Sequence, residues 1–138
     1  MSWFFWAILS ATFAGLTAIL VKLGVSGVDS DLATAIRTTV ILVLAWAVAA
    51  VRLSQSLADV PARAWLFLVL SGLATGASWL CYFRALQLGE VSRVAPIDKL
   101  SVVVAMVLAA VVLRESISWQ HWLGGGLIVA GAVVVALD

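Results

Sequence analysis

The chain is 138 residues long, 64% hydrophobic and only 11% charged, with a formal net charge of +1. A soluble domain holds roughly half apolar and a quarter charged residues, so this balance would leave helices greasy on every side in water. The near-neutral charge, with no basic run or stacking platform between the apolar segments, excludes nucleic acid as a partner.

A bilayer span takes roughly 20 mostly apolar residues, and five stretches qualify: 3–21, 32–51, 64–83, 94–113 and 119–137. The expected fold is therefore all-α: a polytopic integral membrane protein, a bundle of five transmembrane helices in the lipid bilayer. The first stretch contains Ala11-Thr12-Phe13-Ala14, a faint small-residue cleavage site. No Lys or Arg precedes it, and the run exceeds the roughly 7 to 15 residues of a signal core, so it reads as a true first helix.

The linker 22–31 carries Gly24, Gly27, Asp29 and Asp31 and leads into the second span. That span has three polar residues near its start, Thr34, Arg37 and Thr38. The linker 52–63 is polar and places Pro61 just before a helix start, where proline is tolerated. In the third span Ser71, Thr75, Ser78 and Tyr82 recur at helical spacing and draw one polar stripe. The stripe reads either as the lining of a translocation path or as interhelical hydrogen bonding between packed helices.

Beside the stripe, Gly72 and Gly76 form a G-x-x-x-G pattern, and the fifth span holds Gly124, Gly125, Gly126 and Gly131. Small residues let helices approach closely, so these read as packing surfaces, the fifth helix being a candidate for contact between subunits. His121 lacks a metal-ligand pattern around it and reads as a surface residue. Cys81, the single cysteine, permits no intramolecular disulfide and no Cys-rich metal site. No nucleophile, base or metal set converges anywhere, so neither a cofactor nor catalysis is expected.

Short connections force consecutive spans to run antiparallel. Trp3, Trp6, Trp65, Trp119 and Trp122 then fall at helix ends on the face that holds the N-terminus, where indoles favour the headgroup region. Flanking Arg52, Arg63 and Arg114 on that face are matched by Lys22, Arg84 and Arg93 on the other. Loop charges therefore set no orientation, as in a chain that inserts both ways round.

The fourth span brings the second group of charges within a span. Asp98 and Lys99 lie about five residues inside it, a depth of roughly 8 Å at 1.5 Å per residue, and Arg37 lies equally deep in the second. Lys22 and Arg84 end the first and third spans at the same level. Ionisable groups within a span normally face a bundle interior or watery cavity and mark a functional path. The alternative is structural: Asp98 pairs with Arg37 or Lys99 to hold helices together. Pro96 reads either as an interior proline that exposes backbone dipoles at this level or as a first-turn proline.

The run Trp79-Leu-Cys-Tyr82-Phe-Arg84-Ala-Leu-Gln-Leu-Gly89-Glu-Val-Ser92-Arg93-Val-Ala-Pro96-Ile-Asp98-Lys99-Leu-Ser101, followed by Glu115-Ser-Ile-Ser118 and Trp122-Leu-Gly124, resembles an EamA-type domain. This is a domain of the drug/metabolite transporter superfamily, and the resemblance covers essentially the whole chain, 1–138, as a single domain. Larger members have ten helices in two inverted five-helix halves around a central cavity; this chain corresponds to one half. It departs from the pattern at Arg114, where a glycine is common.

The resemblance implies a secondary transporter, exporter or importer, of a small-molecule substrate, a metabolite or drug-like solute. It would work by alternating access, as an antiparallel homodimer or as a heterodimer with a second five-helix half, in the cytoplasmic membrane of a bacterium or archaeon. The substrate-binding or pathway candidates are Thr34, Arg37, Thr38, Ser71, Thr75, Ser78, Tyr82, Pro96, Asp98 and Lys99. A different class, a non-transporting subunit packed against a larger membrane partner, stays open. A small four-helix drug pump fits less well, because the first helix has only Ser10, Thr12 and Thr17 as polar groups and no embedded carboxylate.

Overall fold

The computed structural model describes residues 2–52 and 57–137. All of its regular structure is helical: α1 (Trp3–Val25), α2 (Ser30–Arg52), a short 3₁₀ turn (Leu57–Asp59), α3 (Ala62–Leu88), α4 (Val91–Asp98), α5 (Leu100–Val112) and α6 (Trp119–Leu137). Five segments are long and apolar enough to cross a membrane, with α4 and α5 together forming the fourth, Val91–Val112. The protein is an all-α integral membrane protein. Within each span at most 11% of the residues are buried inside the chain. Val40, Val43 and Leu44 are 63% exposed, a display that suits lipid tails and no aqueous surface.

The chain forms two compact units. One, Val21–Gln87, takes the end of α1, all of α2 and nearly all of α3. Its buried side chains are Val21, Val25, Ser30, Thr34, Phe83 and Leu86, which fall at the end of α1, the start of α2 and the end of α3. The turn from α1 into α2 is built from its sequence. Gly27 takes φ +78°, a left-handed conformation open to glycine at little cost. Asp29 then caps α2, its Oδ1 accepting from the amides of Asp31 at 3.0 Å and Leu32 at 3.1 Å. The linker residues 53–56 lie outside the described residues. Beyond them Pro61 stands at the start of α3, its carbonyl accepting from the amides of Ala64 and Trp65.

The other unit joins the first twenty residues to 88–138. In it α6 packs against both α4 and α5. Gly125 makes that contact close: a Cβ there would meet Met106 Cε at 3.3 Å and Val103 Cγ2 at 3.9 Å. At Gly124, Gly126 and Gly131 a Cβ would meet nothing within 4 Å. Of the glycines of α6, Gly125 is therefore the one that packs against its own chain. Ser118 starts the helix, its carbonyl accepting from the amides of His121 and Trp122, and its Oγ shares a 2.6 Å hydrogen bond with His121 Nδ1. His121 is exposed.

Two local features concern the fourth span and the turn that follows it. The fourth span begins at Val91, so Pro96 is the sixth residue of α4 and not a first-turn proline. An interior proline cannot donate to the Ser92 carbonyl and crowds it. The helix tightens three residues later, where the Lys99 amide donates to the Pro96 carbonyl at 3.1 Å, and a turn at Lys99 separates α4 from α5. The second feature is Arg114, at φ +55°. Here the chain leaves α5 through a left-handed residue and the Glu115 amide turns back to the Ala109 carbonyl at 3.1 Å. Glycine would take such a backbone at lower cost than Arg114 does.

Candidate functional site

Within the unit Val21–Gln87, the cations are placed in two different ways. Lys22 and Arg84 serve the ends of helices. Lys22 Nζ donates to the Leu86 carbonyl at 2.7 Å, placing a positive charge on the C-terminal turn of α3, where unpaired carbonyls and the helix dipole both favour it. Arg84 Nη1 donates to Gln87 Oε1 at 2.7 Å, and Gln87 Nε2 in turn donates to the Val28 carbonyl at 3.0 Å. The chain of contacts ties the α1–α2 turn to the end of α3.

Arg37 is held differently. It is the eighth residue of α2, about 10 Å along the axis from Ser30. Its guanidinium lies over the ring of Trp79, 4.2 Å from the centroid, and 5.6 Å from that of Phe83. Trp79 and Phe83 are four residues apart and so share one face of α3. Phe83 is buried and Arg37 half-buried. Stacking over an aromatic face is worth up to about 2 kcal/mol when water is excluded.

The hydroxyls around Arg37 are partly spent on their own helix. Thr34 Oγ1 donates to the Ser30 carbonyl at 2.8 Å, and Thr38 Oγ1 donates to the Thr34 carbonyl at 2.7 Å. This back-bonding satisfies the protons of groups that would otherwise be costly in an apolar setting, and leaves their oxygens able to accept. On α3 most of the stripe is exposed: Ser71, Thr75 and Ser78 are exposed and Tyr82 is half-buried. One residue along, Gly72, Gly76, Trp79 and Phe83 form a parallel row on the next face. A Cβ at Gly72 or Gly76 would meet no atom within 4 Å, so these glycines do not seat another helix of the same chain.

In the other unit Pro96, Asp98 and Lys99 come together at the break between α4 and α5. Lys99 Nζ donates to Asp98 Oδ2 at 3.2 Å, an ion pair between neighbours in sequence. Of the two pairings open to Asp98, the local one with Lys99 is realised. The side chains are 56% (Lys99) and 35% (Asp98) exposed within the chain, so the pair closes no buried core. Among the described residues no group of His, Cys, Asp and Glu is arranged to hold a metal ion.

The residues that sequence reasoning missed are Trp79 and Phe83. Two aromatic residues one turn apart, beside a polar stripe and opposite an arginine within a span, are the signal that pointed to them. Trp79 lies nine residues before the end of α3, whereas Trp3, Trp6, Trp65, Trp119 and Trp122 are exposed at helix starts, as interface anchors require.

These features define a polytopic membrane protein with a cation seated inside a span on an aromatic shelf, flanked by hydroxyls. The chain belongs to the EamA-like transporter family, whose sequence pattern matches residues 1–137. It is also 55% identical over 137 residues to a Sinorhizobium sp. protein described as an "Uncharacterized transporter in cobO 3'region", covering 99% of this chain and 97% of that one. No solved structure matches it. The match thus runs over nearly the whole of both sequences.

Proposed function

We propose that this protein is a secondary transporter of a small organic solute, working by alternating access as a dimer of five-helix halves in opposite orientation. Arg37 carries the reading. A cation kept within an apolar span on Trp79, beside a stripe of hydroxyls, is an arrangement for receiving a polar visitor in a hydrocarbon setting. Thr34, Thr38, Ser71, Thr75, Ser78 and Tyr82 would line the path. Pro96, Asp98 and Lys99, at a broken helix, would form the point at which coupling to an ion or proton acts.

The family and the transporter name of the Sinorhizobium relative support transport. The small share of each span that the chain itself buries supports a membrane partner, a second copy or a second five-helix half. Equal Lys and Arg flanks on the two faces support the opposed orientation of two copies. The membrane would be the cytoplasmic membrane of a bacterium or archaeon.

The test is uptake of candidate solutes by proteoliposomes, joined to a topology assay. Cysteine at Ala58 in a Cys81→Ala background is expected to label from both faces of intact cells. Labelling from one face only removes the inverted homodimer. No uptake of any solute class would leave a non-transporting subunit as the better description.

A further inference from the structure

Three things about Arg37 have to be reconciled. It is charged, it lies within an apolar span, and within its unit no described carboxylate forms an ion pair with it. The acids of that unit are otherwise placed. Asp29 spends Oδ1 on the first amides of α2, Asp31 is exposed on the first turn of the same helix, and Asp59 lies in the 3₁₀ turn after it. The aromatic contact offsets part of the desolvation of the guanidinium, but it adds no negative charge.

The geometry of the contact decides what remains available. The guanidinium carries five N–H donors, and among the described residues no hydrogen bond engages them. The aromatic contacts therefore brace the cation without giving its donors an oxygen acceptor. A planar fork of N–H groups matches the two oxygens of a carboxylate, or two oxygens of a phosphate, in a bidentate contact. A neutral or cationic solute gains nothing comparable and meets an uncompensated positive charge. The same face of α3 is open at Gly72 and Gly76, which precede Trp79, since a Cβ built on either would meet no atom within 4 Å.

We infer that the Arg37 guanidinium, braced by Trp79 and Phe83, is an oxyanion-binding site, and that the solute carried is an organic anion bearing a carboxylate or phosphate. The substrate class rests on the transport reading above; the binding site does not. The same chemistry could come from a lipid phosphate. Depth favours the solute: Arg37 is seven residues beyond the start of α2 and Trp79 nine before the end of α3, each more than about 10 Å along its helix. The stack at 4.2 Å holds the guanidinium at that level.

The test observes the guanidinium itself. Full-length protein labelled with ¹⁵N-arginine is placed in phosphate-free dodecyl maltoside micelles, and the Arg37 Nε–H signal is assigned by its loss in Arg37→Lys. Benzoate and phenylphosphonate should each shift that signal saturably and leave the other arginines in place. Benzyl alcohol and benzyltrimethylammonium should not. Trp79→Phe, which keeps a ring but a weaker one, should loosen oxyanion binding several-fold; Trp79→Leu should loosen it by about tenfold or more. No oxyanion shift in wild-type protein, or an equal shift with benzyl alcohol, overturns the site.

A second arm uses phosphatidylglycerol nanodiscs. If that lipid alone shifts the signal and soluble oxyanions do nothing in the phosphate-free micelle, the oxyanion is a headgroup and the substrate class is overturned. Uptake is scored separately. Anion binding without uptake sustains the site and removes transport, while uptake of a solute that leaves the Arg37 signal unmoved sustains transport and overturns this inference.

Discussion

The two in-span charge sites of this chain solve the same electrostatic problem in opposite ways. Asp98 and Lys99 neutralise each other across one peptide bond, at a point where Pro96 has already loosened the helix. Within its unit Arg37 pairs with no described carboxylate and leans on Trp79 and Phe83, from a helix distant in sequence. The first site is electrically complete and can offer a charge only by opening its pair. The second retains its charge and its donors, and so has something left to offer a ligand. A binding role belongs more naturally to Arg37, and a coupling role to the pair.

The strongest way to break that comparison is Arg37→Gln. It should reduce solute uptake or oxyanion binding by about tenfold to a hundredfold, the worth of a charged hydrogen-bonded contact, while the protein still accumulates in the membrane. Uptake equal to wild type in proteoliposomes would reverse the assignment of roles. Asp98→Asn addresses the other half. The pair joins neighbours in sequence and ties no distant helices together, so accumulation and thermal stability in detergent should be preserved. The variant should instead lower uptake, and uptake equal to wild type would deny Asp98 a coupling role.

The glycines sharpen the comparison between faces that are filled and faces that are open. Gly125→Leu must displace Met106 and should lower stability by about 1–3 kcal/mol, read as a drop in melting temperature in detergent. Gly76→Leu has space within the chain and should leave the melting temperature of the isolated chain unchanged or higher, yet depress uptake. Equal destabilisation at both positions would mean that Gly76 is not an open face. The smallest effect is expected at the turn after α5. Arg114→Gly relieves a left-handed non-glycine residue and should raise stability by up to about 1 kcal/mol, whereas Gly27→Ala, at φ +78°, should lower it by a similar amount. Both can be read by thermal unfolding.

Legibility followed the range of the interaction. The five spans could be read in the sequence because hydropathy adds up residue by residue along a stretch, although the ends could not. The fourth span starts at Val91, three residues before its apolar run, since helix ends depend on caps and packing more than on apolarity. Gly27 and Pro61 announced their turns because a single residue sets the backbone there. The Asp29 cap, by contrast, was legible only as an aspartate in a linker, and Trp79 only as one tryptophan among seven.

What the amino-acid order determined by itself is therefore the class of molecule: five apolar helices, short turns, polar residues at helical spacing on α3, and charges at the helix ends and inside two spans. Each of these depends on neighbours within one or two helical turns. The tertiary structure decided which charge is answered and by what. Asp98 meets Lys99 next to it, but Arg37 meets Trp79 only because α2 and α3 return to the same place, a choice made by helix packing. Packing likewise left Gly72 and Gly76 open while filling the space at Gly125, and no local pattern distinguishes a glycine that seats a neighbour from one that faces a void.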